Sequence, residues 1–450
     1  MKKENHSSDC SQSRFTQGLP VVNHHAAGID IGDSKHDVAI FDINGDLISR
    51  EYGSFTSDLE ELVSFLKEKG VTTVAMESTG VYWICLFILL EEAGIEPYLV
   101  NAKHVKNVTG RKKDDTDSIW ILKLHSCGLL QKSFQPDLDI RVLRTYIRQR
   151  KKLVSLCSDT VRRMQKSLEL MNIKLHLVIS DILGKTGMGI VNAIMDGERD
   201  PEKLLQFKDS RIQASDELIV ESLHGIWKEE YLFMLKQNHN GYMFYQSQIQ
   251  ECDIKIEGVL LEIAAKKQNG DISNLQSIKK NPKKNDLTFN ARPILKVIVG
   301  VDLCNVDGMS EVSSVELISE IGTDMSKWKN SKHFSAWLNL VPNTKITGGK
   351  LISSKMQKKK NNAGQTLRMA CCNLSRSKVP IGDYARKMKS RLGKKGGVVA
   401  TAHKLSRVIY TMIKEQKEFN KSLLMEDQER WKLKKINYLE KELIKLKKAS

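Results

Sequence analysis

The sequence has no hydrophobic segment long enough to cross a lipid bilayer. Its longest apolar run, VYWICLFILL at residues 81–90, is about half of the roughly 20 residues that a membrane-spanning helix needs. The first residues, MKKENHSSDCSQSRF, contain no apolar core of the kind that signal peptides carry. We therefore expect neither a membrane anchor nor a secretory leader.

Paired cysteines are also missing. Eight cysteines are scattered along the 450 residues, and only Cys371 and Cys372 are adjacent. Because the sequence contains no CxxC pair, it predicts neither a zinc site nor a disulfide framework. Free thiols are typical of a reducing compartment, so we expect a cytoplasmic protein.

The sequence has fewer acidic residues than basic ones. Lys and Arg number 71 against 54 Asp and Glu, which gives a formal net charge of +17. Since no membrane segment is present, this excess favours nucleic acid as the partner. The chain is long enough for two or three domains, each with its own core.

The pattern of predicted elements divides the chain into segments. Strands and helices alternate near the N-terminus, which is typical of an α/β domain, and GVYWICLFILLEEAG is expected to be a buried helix within it. Six segments are expected: a disordered tail (1–22), an α/β domain (23–133), a helical or coiled-coil region (134–265), a basic linker (266–290), a mostly α-helical C-terminal domain (291–418) and a basic amphipathic tail helix (419–450).

A helical seam runs through residues 140–171. Apolar residues recur at alternating steps of three and four, with Arg150 the one break, and the helix would be roughly 50 Å long. We expect this seam to meet a second subunit, and a helix from 205–265 of the same chain is the alternative partner. The outer faces are basic, and they form either a solvated surface or an arm that faces nucleic acid. Their cations are Arg141, Arg144, Arg148, Lys151, Lys152, Arg162 and Arg163.

Several carboxylates lie on elements that an RNase H-like fold brings together. Asp30 is on the first predicted strand, in GIDIG, and Glu77 ends the fourth, in MESTG. Asp114 and Asp117 are three residues apart at a helix start, so they share one face. Such a set would hold two Mg²⁺ ions about 3.5–4 Å apart for chemistry at a phosphodiester, with Mn²⁺ as a substitute.

Metal ions would also explain why like charges crowd together in GRKKDDTDSIW. The cations before the aspartates, Arg111, Lys112 and Lys113, would then contact the phosphate strand. An ordinary alternative exists, because acidic residues at a helix start are favoured by the helix macrodipole. We assign Asp115 to that role. GIDIG also opens actin-like ATPases and sugar kinases, but their second phosphate loop and adenosine loop are not found in the sequence.

Four stretches together resemble the IS110 family of transposases: GIDIGDSKHDVAIFD, AMESTGVYW, YLVNAKHVKNVTGRKKDDTDSIW and SVELISEIGTDMSKWKNSKHFSAWLNLVPNTKITGGK. The resemblance covers about residues 24–418. It implies a RuvC-like domain whose DEDD set falls on Asp30, Glu77, Asp114 and Asp117, followed by a coiled-coil segment and a C-terminal transposase domain. It also implies DNA recombination guided by a structured noncoding RNA from the element.

The resemblance further implies a hydroxyl nucleophile in the C-terminal domain. In the family a serine stands directly before a Gly-Gly pair, and here NTKITGGK places Thr347 there. The extra methyl group restricts χ1 and crowds the attack. Ser353 or Ser354 would be the alternative hydroxyl, and loss of activity in this copy is a third reading. The nucleic-acid contacts expected around this position are Lys345, Gly348, Gly349, Lys350 and Lys355.

The sequence as a whole predicts an insertion-sequence transposase that cuts and rejoins element ends and target DNA. We expect it to act as a homodimer or homotetramer with a guide RNA and Mg²⁺. Two other classes stay open. One is a RuvC-like, metal-dependent nuclease for branched DNA, and the other is a catalytically dead nucleic-acid-binding protein.

Overall fold

The chain forms two compact units, Met1–Gln135 and Pro136–Ser450. The computed structural model describes the ranges 19–42, 45–101, 116–267, 283–422 and 436–444, together with residues 105 and 433. The predicted residues Arg111, Lys112, Lys113 and Asp114 lie outside the described residues, as do most of the predicted tail and linker. Within the described ranges, no helix is both long enough and apolar enough to span a membrane.

The first unit is built on a mixed five-stranded sheet. Its strands are β1 (Ala26–Ile31), β2 (Lys35–Phe41), β3 (Leu47–Gly53), β4 (Thr73–Glu77) and β5 (Glu96–Val100). They lie in the order β3-β2-β1-β4-β5, with β1 antiparallel to β2 and parallel to β4. The central strands are apolar because both faces of the sheet are covered. This arrangement fits the RNase H-like domain expected from the sequence.

Helices cover the two faces of this sheet. α1 (Thr56–Glu68) and α2 (Trp83–Glu92) pack on one face, and α3 (Asp117–Ser126) packs on the other. The larger core, which includes Ile29 and Met76, lies on the side of α1 and α2. A smaller core around Trp120 lies beneath α3. The two cores fix the position of α3 relative to the ends of β1 and β4.

The apolar run at residues 81–90 forms most of α2 and the turn before it. Leu86, Phe87 and Leu90 are buried, whereas Ile84 and Ile88 are exposed. The prediction of a buried helix is therefore wrong for the outer face of α2. An unbroken apolar run has no helical period, so it does not show which side meets the sheet.

The second unit is mostly helical. Its helices are α4 (Leu138–Leu170), α5 (Lys185–Met195), α6 (Pro201–Leu205), α7 (Asp216–Leu223), α8 (Glu229–Lys267), α9 (Ala291–Val299), α10 (Glu311–Ile321), α11 (Ser331–Trp337), α12 (Asn362–Cys371) and α13 (Pro380–Glu415). Short 3-10 helices occur at Leu175–Leu177, Leu303–Asn305, Met325–Lys327 and Leu374–Arg376. An antiparallel hairpin pairs β6 (Asn343–Thr347) with β7 (Lys350–Lys355). Residues 436–444 of the predicted tail helix are helical.

The predicted seam packs against a helix of the same chain. α4 and α8 run in opposite directions, because Asp139 near the start of α4 binds Lys266 near the end of α8 (2.5 Å, Oδ2 to Nζ). Midway along, Cys157 accepts a hydrogen bond from Gln246 (3.2 Å). The partner observed is therefore the intramolecular helix, which was the alternative to the expected second subunit. The helical middle region is confirmed, but a coiled coil is not.

The break in the seam at Arg150 is filled by a buried ion pair. Arg150 Nε lies 2.5 Å from Asp253 Oδ1, and the two side chains are 5% and 0% exposed. Arg150 Nη2 also donates to the carbonyl oxygen of Asp286 (2.7 Å), and Asp253 Oδ2 accepts from the amide of Thr288 (3.2 Å). The pair therefore joins α4 and α8 to the segment that leads into α9.

The basic face of α4 packs against α10. Arg148 donates two hydrogen bonds of 2.8 Å to Glu320, and Lys151 binds Glu316 at 2.9 Å. Burial raises the pKa of Glu320, but the hydrogen bond and charge of Arg148 and the charge of Arg144 bring it below its usual value. Arg144 Nη2 also donates to the Glu320 carbonyl at the end of α10 (2.9 Å), where a cation is favoured. These three cations bind α10. Arg148 and Lys151 remain about half exposed, whereas Arg144 is largely buried, so the prediction of a solvated or nucleic-acid-facing side chain is wrong for Arg144 alone.

Breaking the Arg150–Asp253 pair should destabilise the second unit strongly. We expect Asp253→Ala to lower the free energy of unfolding by about 3–5 kcal/mol, since it leaves Arg150 buried without a partner. Urea denaturation monitored by circular dichroism measures this loss.

Removing both charges supplies the control. Arg150→Met combined with Asp253→Leu should cost less than Asp253→Ala alone, because no uncompensated charge remains. Arg162→Ala, which removes a surface pair with Asp159, should cost about 1 kcal/mol or less. A loss as small for Asp253→Ala as for Arg162→Ala would contradict a structural role for the buried pair.

Candidate active site

Two carboxylates lie side by side at the ends of neighbouring parallel strands. β1 and β4 pair in register up to Ile29 and Met76, so the next residues, Asp30 and Glu77, occupy adjacent positions. Neighbouring strands are about 4.8 Å apart, and side chains in register point to the same face. Both residues are partly exposed. The sheet thus brings together the first two members of the predicted DEDD set.

The third carboxylate is positioned by a close contact between α3 and β1. A Cβ atom added at Gly28 would lie 2.2 Å from the Leu122 amide nitrogen and 2.4 Å from the Ser118 carbonyl oxygen. Only glycine allows the helix backbone to approach the strand so closely. Asp117, next to Ser118, is the first residue of α3. α3 covers the face of β1 on which both Gly28 and Asp30 lie, because residues two apart on a strand share a face.

The direction of α3 places Asp117 at the same end of the sheet as Glu77. His125, near the far end of α3, makes a 3.0 Å hydrogen bond with Thr73 at the start of β4. From there to Asp117 the helix rises about 12 Å, and from Thr73 to Glu77 the strand rises about 13 Å. Burial lowers the pKa of His125 to about 4, so the ring is neutral near pH 7 and serves as a packing and hydrogen-bonding residue.

Sequence reasoning missed a further carboxylate on this edge. Asp37 on β2 is directly opposite Asp30 on β1, and opposite residues of antiparallel strands project to the same face. Like charges in that position repel each other. The only sequence signal for Asp37 is that it follows Asp30 by seven residues across a short turn, which does not establish the register by itself.

The donor set on this edge suits a hard divalent cation. Carboxylate oxygens are the ligands that Mg²⁺ prefers, and Asp30, Glu77 and Asp117 are placed at one end of one sheet face. Within the described ranges, however, no three such side chains converge closely enough to hold a metal ion. Asp114, the remaining member of the predicted set, lies outside those ranges. The backbone therefore assembles the edge, and the metal-binding role stays a prediction.

Thr347 lies at the tip of the exposed hairpin in the second unit. It ends β6 opposite Lys350, and the two residues between them, Gly348 and Gly349, have φ values of 53° and 75°. A two-residue turn with positive φ at both positions matches the right-handed twist of the strands and favours glycine. All five residues of β6, including Lys345, are exposed. The hydroxyl is therefore exposed at a tight turn, with Lys350 opposite it and Lys345 two residues away on the same strand.

The two alternative hydroxyls occupy a different place on the hairpin. Ser354 is opposite Thr344, with 3.4 Å between the hydroxyl oxygens, and Ser353 is opposite Lys345. Ser353 is two residues and Ser354 one residue before the end of β7 at Lys355, which is exposed. At about 3.4 Å per residue they are roughly 10 Å from the turn. One bound phosphate therefore cannot meet Thr347 and either serine in the same position.

Asn339, which sequence reasoning did not select, ties the two ends of the hairpin together. Its side-chain amide donates to the carbonyl oxygens of Gln357 (3.0 Å) and Lys359 (2.8 Å), both beyond β7. Its own carbonyl accepts from Arg368 on α12 (2.5 Å). Asn339 is only 7% exposed and has a φ of 55°, a conformation that Asn tolerates better than most residues. It fixes the base of the hairpin on the helical unit.

Two families match parts of this chain. Residues 27–173 match the family DEDD_Tnp_IS110, described as Transposase, and this range contains the whole predicted DEDD set. Residues 302–386 match the family described as Transposase IS116/IS110/IS902, and this range contains the hairpin. No curated protein matches the chain. Because the two matches occur in the expected order and together cover just over half of the residues, the chain belongs to the IS110 family of transposases.

Proposed function

We propose that this transposase cleaves and rejoins DNA with a Mg²⁺-dependent carboxylate site at Asp30, Glu77, Asp114 and Asp117. The observation that carries the proposal is the adjacent placement of Asp30 and Glu77 beneath the start of α3. When bound there, the metal ions would stabilise charge on the attacking and leaving oxygens of the phosphodiester. The carboxylates would hold them, with Mn²⁺ able to substitute, and Asp37 would add negative charge beside Asp30.

We assign the nucleophile to Thr347. Its hydroxyl oxygen would attack a DNA phosphorus, forming a bond from phosphorus to the threonine oxygen as the bond to one strand oxygen breaks. The threonine proton would end on that departing oxygen. Support comes from the exposure of the turn and from Lys345 and Lys350, whose charges favour a phosphate nearby. In the adduct, the phosphorus stays bound to DNA on one side and to the threonine oxygen on the other. The hydroxyl of a second strand end would attack that phosphorus, release the threonine and rejoin the DNA.

The nucleic-acid partners follow from the family and the charge. A transposase of this family acts on DNA, and the net charge of +17 suits both DNA and a structured guide RNA encoded by the element. The reaction products would distinguish this function from two others. Metal-dependent cleavage without rejoining would indicate a branched-DNA nuclease, and binding without cleavage would indicate a catalytically dead binding protein.

Neutralising the carboxylates should abolish strand cleavage while leaving the fold intact. We expect Asp30→Asn, Glu77→Gln and Asp117→Asn each to reduce the Mg²⁺-dependent cleavage rate about 100-fold or more, since a bound metal supplies several kcal/mol of charge stabilisation. Cleavage of labelled element ends at several Mg²⁺ concentrations measures the loss.

The matched control is Glu60→Gln on α1, because Glu60 is exposed and α1 covers the opposite face of the sheet. Its cleavage rate should equal that of the natural chain. Full activity in two or more of the three site variants would eliminate this metal site.

Trapping the covalent protein–DNA adduct tests the nucleophile. Thr347→Ala should remove the adduct, whereas Thr347→Ser should form it faster because the crowding methyl is absent. Ser353→Ala and Ser354→Ala should still form it, and mass spectrometry of the adduct should place DNA on residue 347. An adduct on either serine would overturn the assignment. An adduct from Thr347→Ser but none from the natural chain would show an inactivated copy.

We propose a homodimer or homotetramer, with the subunit contact on the outer face of α8. The seam on α4 is filled within the chain, so a second subunit must use another surface. Phe233 and Phe244 on α8 are each 60% exposed, and eleven residues, about three helical turns, place them on one face. Large exposed apolar side chains on one helix face favour a contact with another protein surface.

Phe244→Glu should shift the chain toward the monomer in multi-angle light scattering, since a charge would be buried in the contact. Glu202→Gln, a change at an exposed residue of α6, serves as the control and should leave the mass unchanged. A natural chain that is monomeric at all concentrations, with and without nucleic acid, would rule the oligomer out.

A further inference from the structure

A sharp bend divides α13 into two helical halves. Gly393, with φ 74° and ψ 175°, interrupts the helix. A Cβ atom added at Gly397 would lie 2.7 Å from the backbone of Lys389, so the second half packs directly on the backbone of the first. We call residues 384–407, which surround this bend, the α13 corner. The bend gives the corner a fixed shape rather than that of one straight helix.

The α13 corner carries a dense positive charge with no acidic residue in its sequence. Residues 384–407 include eight Lys and Arg and no Asp or Glu. The exposed members are Arg386, Lys389, Arg391, Lys394, Lys395 and Arg407. Solvated helix faces usually alternate charges of both signs, because opposite charges four residues apart stabilise the helix. An uninterrupted positive stretch of this length is therefore not explained by solvation alone.

Several of these cations have no ion pair within the part of the chain that the structure describes. Arg386 binds Asp383, just before the corner. Among the described residues, no carboxylate lies within ion-pair distance of Lys389, Arg391, Lys394 or Lys395. Lys394 and Lys395 also begin the second half of the helix, where the macrodipole makes a cation unfavourable. A bound polyanion would relieve both sources of repulsion.

The two halves of the corner hold their cations in one arrangement. Lys404 lies over the ring of Tyr384, with 4.8 Å from its nitrogen to the ring centroid, and this contact joins residues from opposite sides of the bend. On the inner side, Ile381, Met388 and Leu405 are buried. The cations therefore project from a packed scaffold, which reduces the entropy lost when they bind a ligand.

The exposed surface does not suit a lipid membrane. Interfacial helices need a broad apolar face beside their cations. Among the described residues of the corner, Leu392 is the one large apolar side chain that is exposed, at 51%. A repeated phosphate ligand without an apolar phase fits the surface better.

We propose that the α13 corner binds the phosphodiester backbone of nucleic acid, independently of base sequence. This inference adds a binding surface to the proposed transposase and rests on that function only for the identity of its DNA. Contacts from lysine and arginine to phosphate fix position and orientation, while contacts to bases give specificity. The corner would therefore hold DNA or the guide RNA in place without selecting a target.

Salt-dependent binding of the full-length chain tests the proposal. We expect Lys394→Gln combined with Lys395→Gln to reduce the slope of log K against log salt concentration by about 0.9 per lost contact on duplex DNA, or about 0.7 on single strands. One arm uses a 30-base-pair duplex of random sequence, and the other uses a structured RNA hairpin. A reduced slope in one arm identifies the source, and in both arms it shows a shared backbone site.

Lys185→Gln combined with Lys203→Gln is the matched control, since both lysines are exposed on α5 and α6, outside the corner and the proposed subunit contact, and the net charge changes equally. An unchanged slope in both arms, or an equal decrease in the control, would overturn the proposal. Circular dichroism should show the same thermal midpoint for all three chains. Because binding is the readout, a chain that binds through the corner but never cleaves DNA would retain this inference and lose the proposed function.

Discussion

The contact between α3 and Gly28 is the constraint on which the carboxylate edge depends. Without a side chain at Gly28, the backbone of α3 lies against β1, and its first residue, Asp117, reaches the strand ends that carry Asp30 and Glu77. A larger residue would push the helix outward and separate the carboxylates. One small residue on a central strand thus sets the spacing of charged residues that come from three elements.

Ion pairs organise the helical unit around the hairpin. The Arg150–Asp253 pair joins α4 to α8, and Glu320 of α10 binds Arg148 of α4. Glu320 also accepts a hydrogen bond from Asn362 (3.2 Å), at the start of the helix that follows the hairpin. Buried charges of this kind are costly unless paired with good geometry. Because their partners come from distant parts of the chain, they favour one arrangement of the helices.

The hairpin differs from the unit that supports it. Its strands are exposed and carry Thr347 at the turn, while Asn339 anchors only its base. A two-stranded sheet alone is marginally stable in water, so the anchor and the paired glycines of the turn supply much of its order. Because the hairpin is exposed and only its base is anchored, the proposed nucleophile lies on a surface that DNA can approach without entering the helical core.

Local sequence is enough to predict the strands and helices of the first unit, the carboxylates at Asp30 and Glu77, and the family, because alternating and apolar patterns and short motifs depend on neighbouring residues. It did not determine the partner of the α4 seam, the ion pairs of its basic face, the position of Asp37 or the role of Asn339. These features depend on contacts between residues far apart in the chain, so they are visible only once the chain is folded. The sequence also did not show that one face of α2 is exposed, because an apolar run does not reveal which side of the helix packs against the sheet.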